Sequence, residues 1–207
     1  MLLWIAMSLQ NNEDVAAAKV LLQEILSNYG SHATSLLSRL RLAEILVGEN
    51  AEAAAILHLE DVFQMPIEDP VEVDDETPDY ARSEAARLLA TLFEKRGDWN
   101  RSLVLWRDWV PATFCGTCAK EMEDERHYHL GLALEKLQRP KEAIEEYWLA
   151  APTYEEAAKA CRALHGRLGS LPVLRRKVEE AARKTREYDP ELQGYVGLKW
   201  LEEDLKK

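Results

Sequence analysis

LGLALEKLQRPKEAIEEYWLAAP, Leu130 to Pro152, holds two helical patterns joined by one turn. In the first, Leu130, Gly131 and Leu134 fall on one face at helical spacing. In the second, Ala143, Ile144, Tyr147 and Ala150 do the same, and Gln138-Arg139-Pro140 separates the two. The small residues Gly131 and Ala143 stand where the helices of a hairpin must approach closely. The large residues one turn later stand where a following hairpin must be filled. One such hairpin cannot bury its apolar face alone, whereas stacked hairpins can.

The same offsets recur three more times. Around Ala43 they give Leu42, Leu46, Ala55, Ile56, Leu59 and Val62. Around Ala90 they give Leu89, Phe93, Ser102, Leu103, Trp106 and Trp109. Around Ala6 they give Ile5, Leu9, Ala18, Leu22 and Ile25, and only Lys19 departs from the pattern. Asn12-Glu13-Asp14, Gly48-Glu49-Asn50 and Gly97-Asp98-Trp99-Asn100 supply the turns.

These residues resemble the tetratricopeptide repeat family. The resemblance lies in Leu130-Gly131, Leu134, Ala143, Tyr147 and Ala150 with Pro152 following, and in Leu89-Ala90, Gly97-Asp98-Trp99, Trp106 and Pro111. It covers roughly residues 1–152. It implies an all-α fold, a right-handed superhelix of stacked helical hairpins whose concave groove binds peptides or other proteins. The expected repeats are 1–28, 31–64, 80–111 and 119–152. The anchors lie 37, 47 and 41 residues apart, against a family period of about 34. The excess falls in two inserts. MPIEDPVEVDDETPDY, residues 65–80, has three prolines and seven acidic residues and reads as an exposed acidic loop. VPATFCGTC, residues 110–118, reads as a connector. A first helix of ordinary length would begin before Met1, so the first unit reads either as truncated or as a short, frayed helix. After Pro152 the register weakens. Tyr154–His165, Val173–Glu187 and Glu191–Leu205 are expected as helices: a degenerate hairpin and a capping helix with Tyr195, Trp200 and Leu201 on its buried side, all in the same domain.

Composition agrees with helix. The chain has 207 residues, 47% of them apolar, and only 9 glycines. Its net charge of -11 excludes nucleic acid as an expected partner, because that affinity rests on Lys and Arg at phosphates. The basic run Arg175-Arg176-Lys177 with Arg183, Lys184 and Arg186 alternates with Glu179, Glu180 and Glu187, as a solvated helix face does. The apolar start MLLWIAMSLQ has no basic n-region and is too short to span a bilayer. Three cysteines make no disulfide framework. The expectation is a soluble cytoplasmic protein with no membrane partner.

Cys115-Gly116-Thr117-Cys118 has metal or redox spacing. A second pair of zinc ligands is hard to supply. His127 and His129 are two apart on a helix and diverge. Cys161 and His165, four apart, share a face and are the best second pair. A redox dithiol lacks the βαβ context and faces Glu121, Glu123, Asp124 and Glu125. The reading adopted is a helix entrance. Pro111 stops the preceding helix, Gly116 turns, Thr117 caps, and the cysteines pack as small apolar groups. No cofactor is expected, and a metal or thiol sensor on Cys115, Cys118, Cys161 and His165 stands as the alternative.

Trp99, Trp106 and Trp109 fall at core offsets. Trp148 is either a partner anchor or packs on the C-terminal hairpin. No phosphate loop, Gly-x-Ser-x-Gly or His-Glu-x-x-His motif occurs, so a non-enzyme is expected. In the resembled family the first helix of each hairpin lines the groove. Carried across, this gives Leu37, Leu40, Glu44 and Val47; then Glu84, Arg87, Thr91, Glu94 and Lys95; then Glu125, Tyr128, Leu132, Glu135 and Lys136. The Lys-and-Asn set that clamps a terminal carboxylate is missing. The expected partner is a protein or peptide segment with apolar anchors and some basic residues. A self-assembling subunit, a homo-oligomer, is the other alternative.

Overall fold

The computed structural model describes residues 2–30, 33–64, 78–112 and 116–206. Among them the chain forms eleven helices and no strand. They are α1 Leu2–Asn11, α2 Val15–Asn28, α3 Ala33–Gly48, α4 Glu52–Gln64, α5 Pro78–Lys95, α6 Trp99–Asp108, α7 Gly116–Lys136, α8 Pro140–Ala150, α9 Glu155–Arg167, α10 Leu171–Thr185 and α11 Val196–Asp204. Among the described residues no helix is long and apolar enough to cross a membrane.

The helices divide into two compact units. Residues 1–97 and 108–112 form the first, in which α1 packs on α2, α2 on α3, α3 on α4, and both α3 and α4 on α5. Residues 98–107 and 113–207 form the second, in which α7 packs on α8, α8 on α9, and α11 closes over α9 and α10.

One local device shapes the hairpins. Glu13, Asn50, Gly97, Gln138 and Gly169 all have positive φ, between 60° and 74°. At four of the five turns the next N–H bonds a carbonyl five residues back: Asp14 to Leu9 at 2.9 Å, Ala51 to Leu46 at 2.8 Å, Arg139 to Leu134 at 2.9 Å and Ser170 to His165 at 2.9 Å. This is a Schellman turn, which satisfies the orphan carbonyls of one helix while reversing the chain into the next. Aspartates then open two of the second helices. Asp14 accepts from Ala17 N–H at 3.2 Å and Asp98 from Arg101 N–H at 3.3 Å.

The small anchors are buried as expected. Ala6, Ala18, Ala43, Ala55, Ala90, Ser102 and Ala143 are all at most 1% exposed. Gly131 carries a close approach, since a Cβ there would lie 2.5 Å from the Tyr147 ring. Ala6, Ala43, Ala90 and Gly131 each lie seven residues before a left-handed turn residue, and Ala18, Ala55, Ser102 and Ala143 lie five after it. Counting back from Gly169 places Arg162 and Leu174 at the two small positions of α9 and α10. The left-handed turn therefore recurs where the small-residue signature stops.

The structure corrects several expectations. Ile5 is exposed rather than buried. Residues 65–77 of the expected acidic loop lie outside the described residues, but Pro78–Tyr80 are helical and open α5. Proline suits a first helical position, where the missing N–H costs nothing. The backbone of α7 already begins at Gly116, one residue before the expected entrance. The last helix starts at Val196, not Glu191. It buries Gly197, Leu198 and Leu201, while Tyr195 and Trp200 are only half-buried. Gly197 permits this docking: a Cβ there would lie 2.1 Å from the Ala151 carbonyl oxygen.

Candidate functional site

In the first unit the groove candidates divide sharply. Leu37 and Leu40 are 4% and 1% exposed and belong to the core, so neither offers a contact surface. Glu44 and Val47 are half-buried, and Glu44 pairs with Arg41 at 3.0 Å. Arg87 binds Glu84 through two nitrogens, Nε at 3.1 Å and Nη2 at 2.9 Å. Thr91 donates to the Leu88 carbonyl at 2.8 Å. Glu94 is half-buried, and Lys95 is exposed with its ammonium 3.9 Å from Glu52. The carboxylates and guanidinia of this face are therefore held by one another along the helices.

Ser83 fixes the chain that follows α6. Its hydroxyl donates to the Val110 carbonyl at 2.8 Å and accepts from Ala112 N–H at 3.2 Å. Trp109 Nε1–H, buried, meets the Ser83 hydroxyl and carbonyl, each at 2.9 Å. Trp109 is thus a core residue with its one donor satisfied.

In the second unit α7 carries an aromatic cluster. The buried Trp106 ring of α6 stacks on His129, with centroids 4.5 Å apart. Tyr128 meets His129 edge-on at 5.3 Å, Tyr147 at 6.0 Å and Tyr154 edge-on at 5.4 Å. Arg126 bonds the Trp106 and Arg107 carbonyls at 3.1 and 3.3 Å, satisfying the end of α6. Tyr128, Leu132 and Glu135, predicted for the surface, are each half-buried, and Lys136 is exposed, its ammonium 5.7 Å from the Trp99 ring centre.

Glu135 ties three helices together. One oxygen accepts from the Tyr147 hydroxyl at 3.2 Å and the other from Arg167 at 2.6 Å. Burial, and then the Glu135 charge, push the Tyr147 phenol far above its ordinary pKa. The Tyr154 phenol is also raised, first by burial and then by Glu156, Tyr128 and Glu125. Two carboxylates therefore act on the half-buried Tyr154 ring beside Tyr128. Sequence reasoning missed Tyr154 and Arg167 as members of this cluster. Their only signal was position, at the two ends of α9, where side chains turn back toward α7.

His127 and His129 diverge as their spacing requires. His127 Nδ1 lies 2.7 Å from Glu146, while His129 lies under Trp106. Cys161 and His165 are both buried on α9. Burial pushes the Cys161 thiol up to about 12, which makes it a poor thiolate. His165 Nδ1 lies 2.7 Å from the Ser170 hydroxyl. Cys118 is exposed, and Cys115 lies outside the described residues. Among the described residues no three His, Cys, Asp or Glu side chains gather to hold a metal. Trp148 packs on the C-terminal hairpin, with the Lys177 ammonium 5.2 Å from its ring centre.

Residues 1–32 match the model of the tetratricopeptide repeat family. No curated protein matches the chain. Among solved structures, MamA AMB-1 is 17% identical, with a TM-score of 0.56 over 90% of this chain and 88% of its own. MamA MSR-1 is 16% identical, with a TM-score of 0.54 over 96% and 93%. A mutant of MamA is 17% identical, with a TM-score of 0.55 over 80% and 84%. Residues 1–32 thus match one tetratricopeptide repeat, and over most of its length the chain shares the helical fold of these structures.

Proposed function

We propose that the protein is a non-enzymatic scaffold that binds a protein partner through the first-helix faces of its hairpins. The observation that supports this most directly is the α7 face. Tyr128, Leu132 and Glu135 are half-exposed there, and Tyr154, just ahead of α9 in the same unit, joins them. Glu44, Arg87, Thr91 and Lys95 are the contributing residues of the first unit, without Leu40. The partner is a segment with apolar anchors and some basic residues. The perturbed groups Tyr147, Cys161 and His165 are buried among packing contacts.

The test is affinity capture from the native cell with the wild-type chain and with Arg87→Ala and Tyr128→Ser variants. Each variant is first shown by circular dichroism to keep its helix. A partner captured by wild type and lost by either variant supports the assignment. Equal capture by all three refutes it.

A further inference from the structure

Independently of the scaffold reading, we infer that the cleft between α10 and the end of α11 is a binding site for a small zwitterion with an aliphatic side chain, a free amino acid of the leucine class. The cleft holds about 180 Å³ and is lined by Arg175, Val178, Glu179, Glu202, Leu205 and Lys206. Val178 and Leu205 are buried and make an apolar floor, while Arg175, Glu179 and Lys206 stand exposed around it. The volume is below the roughly 300–1,000 Å³ of sites for drug-sized ligands, so it suits one side chain with its charged groups rather than a longer molecule.

Two opposite charges on this rim are left over. Arg175 and Glu179 lie one turn apart on α10, a spacing at which opposite charges commonly pair. Here they do not. Arg175 turns to the end of α11 and donates Nη2–H to the Leu205 carbonyl at 2.7 Å. Among the described residues neither Arg175 nor Glu179 has an ion pair. The other carboxylate, Glu202, is already met by Arg186 and by Lys206, the latter at 3.7 Å. The Leu205 carbonyl uses only part of the guanidinium's donor set, so Arg175 keeps donors for a carboxylate. Glu179 keeps its oxygens for an ammonium group. At this helical spacing their Cβ atoms stand roughly 5–6 Å apart, a span that the two charged groups of an α-amino acid can bridge. Its side chain then rests on Val178 and Leu205.

The experiment titrates the isotope-labelled full chain with L-leucine, N-acetyl-L-leucine and L-leucinamide and follows the backbone amides by NMR. The acetylated compound carries the charge of a peptide's C-terminus, and the amide that of its N-terminus. L-leucine should shift the amides of Val178, Glu179 and Leu205 saturably, with a Kd of about 1 mM. Each analogue lacks one charge and should bind about fivefold more weakly. Glu179→Gln should weaken leucine by a similar factor and leave N-acetyl-L-leucine unchanged, because only the ammonium needs Glu179. Arg175→Gln should do the same to leucine and spare L-leucinamide. Lys199→Gln, an exposed α11 position outside the cleft, should alter none of them. Glu179 holds no other group, so its variant keeps the fold even if Arg175→Gln frees the end of α11. No saturable shift at these amides overturns the inference. So does N-acetyl-L-leucine or L-leucinamide binding as tightly as leucine, which would make the ligand a peptide terminus, or a control variant that weakens leucine as much as the site variants. Partner capture is read on other residues, so its failure and the failure of these titrations are separate results.

Discussion

Gly131→Ala tests the packing of α7 against α8 where the two helices approach closely. An alanine Cβ at this position would lie 2.5, 2.6 and 2.9 Å from Cδ1, Cε1 and Cγ of Tyr147. Non-bonded carbons prefer roughly 3.5–4.0 Å, so ring or helix must give by about 1 Å. The ring has little freedom to do so. It is 1% exposed, and its hydroxyl is held by Glu135, which Arg167 holds in turn. Two effects oppose each other. Replacing a mid-helix glycine by alanine gains about 0.5–1 kcal/mol. Forcing a methyl into a filled core costs about 1–3 kcal/mol. The clash wins, and the net loss should be about 0.5–2 kcal/mol. Urea denaturation followed by circular dichroism measures it. In a Tyr147→Ala background the obstruction is gone, and the same Gly131→Ala change should instead stabilise by about 0.5–1 kcal/mol. A Gly131→Ala protein as stable as wild type, or more so, refutes the close-approach argument in the single variant alone.

Ser83→Ala leaves Trp109 Nε1–H with only the Ser83 carbonyl and removes the hydroxyl's bonds to Val110 and Ala112. It should cost about 1–3 kcal/mol and red-shift tryptophan emission as the connector loosens. Gln138 has φ of 61°, which glycine adopts freely. Gln138→Gly should therefore raise the urea midpoint, by an amount equivalent to about 0.5–1 kcal/mol, with the m-value unchanged. Burial, and then the Lys177 charge, lower the folded pKa of His165. The unfolded imidazole takes its proton near pH 6.5. Stability should be full above that pH and fall as pH drops through the window below it. His165→Asn should flatten part of that slope, and the remainder should respond to His58, also lowered, chiefly by burial.

The hairpin pattern was legible because each packing position is filled by a residue of one size class. Ala43, Ala55, Ala90, Ser102 and Ala143 sit at matching offsets, and close helix contact leaves no room there for anything larger. The pattern faded at α9 and α10 because Arg162 and Leu174 occupy the matching positions, although Gly169 makes the same turn as Glu13, Asn50 and Gln138. Ile5 misled because an apolar residue at the right spacing is buried only if something packs against it. Leu40 misled for the opposite reason. A helix packed on more than one side buries faces that a single-groove picture leaves open, and α3 contacts α2, α4 and α5.

By itself the sequence determined that helices pair through small residues, and where the chain turns between them, because both follow from local sterics and backbone conformation. Only the tertiary structure decided which half-polar residues meet. Tyr154 and Arg167 join Tyr128 and Glu135 across 26 and 32 residues. Such a contact depends on how α9 packs beside α7 and α8, which side-chain spacing along any one helix does not encode.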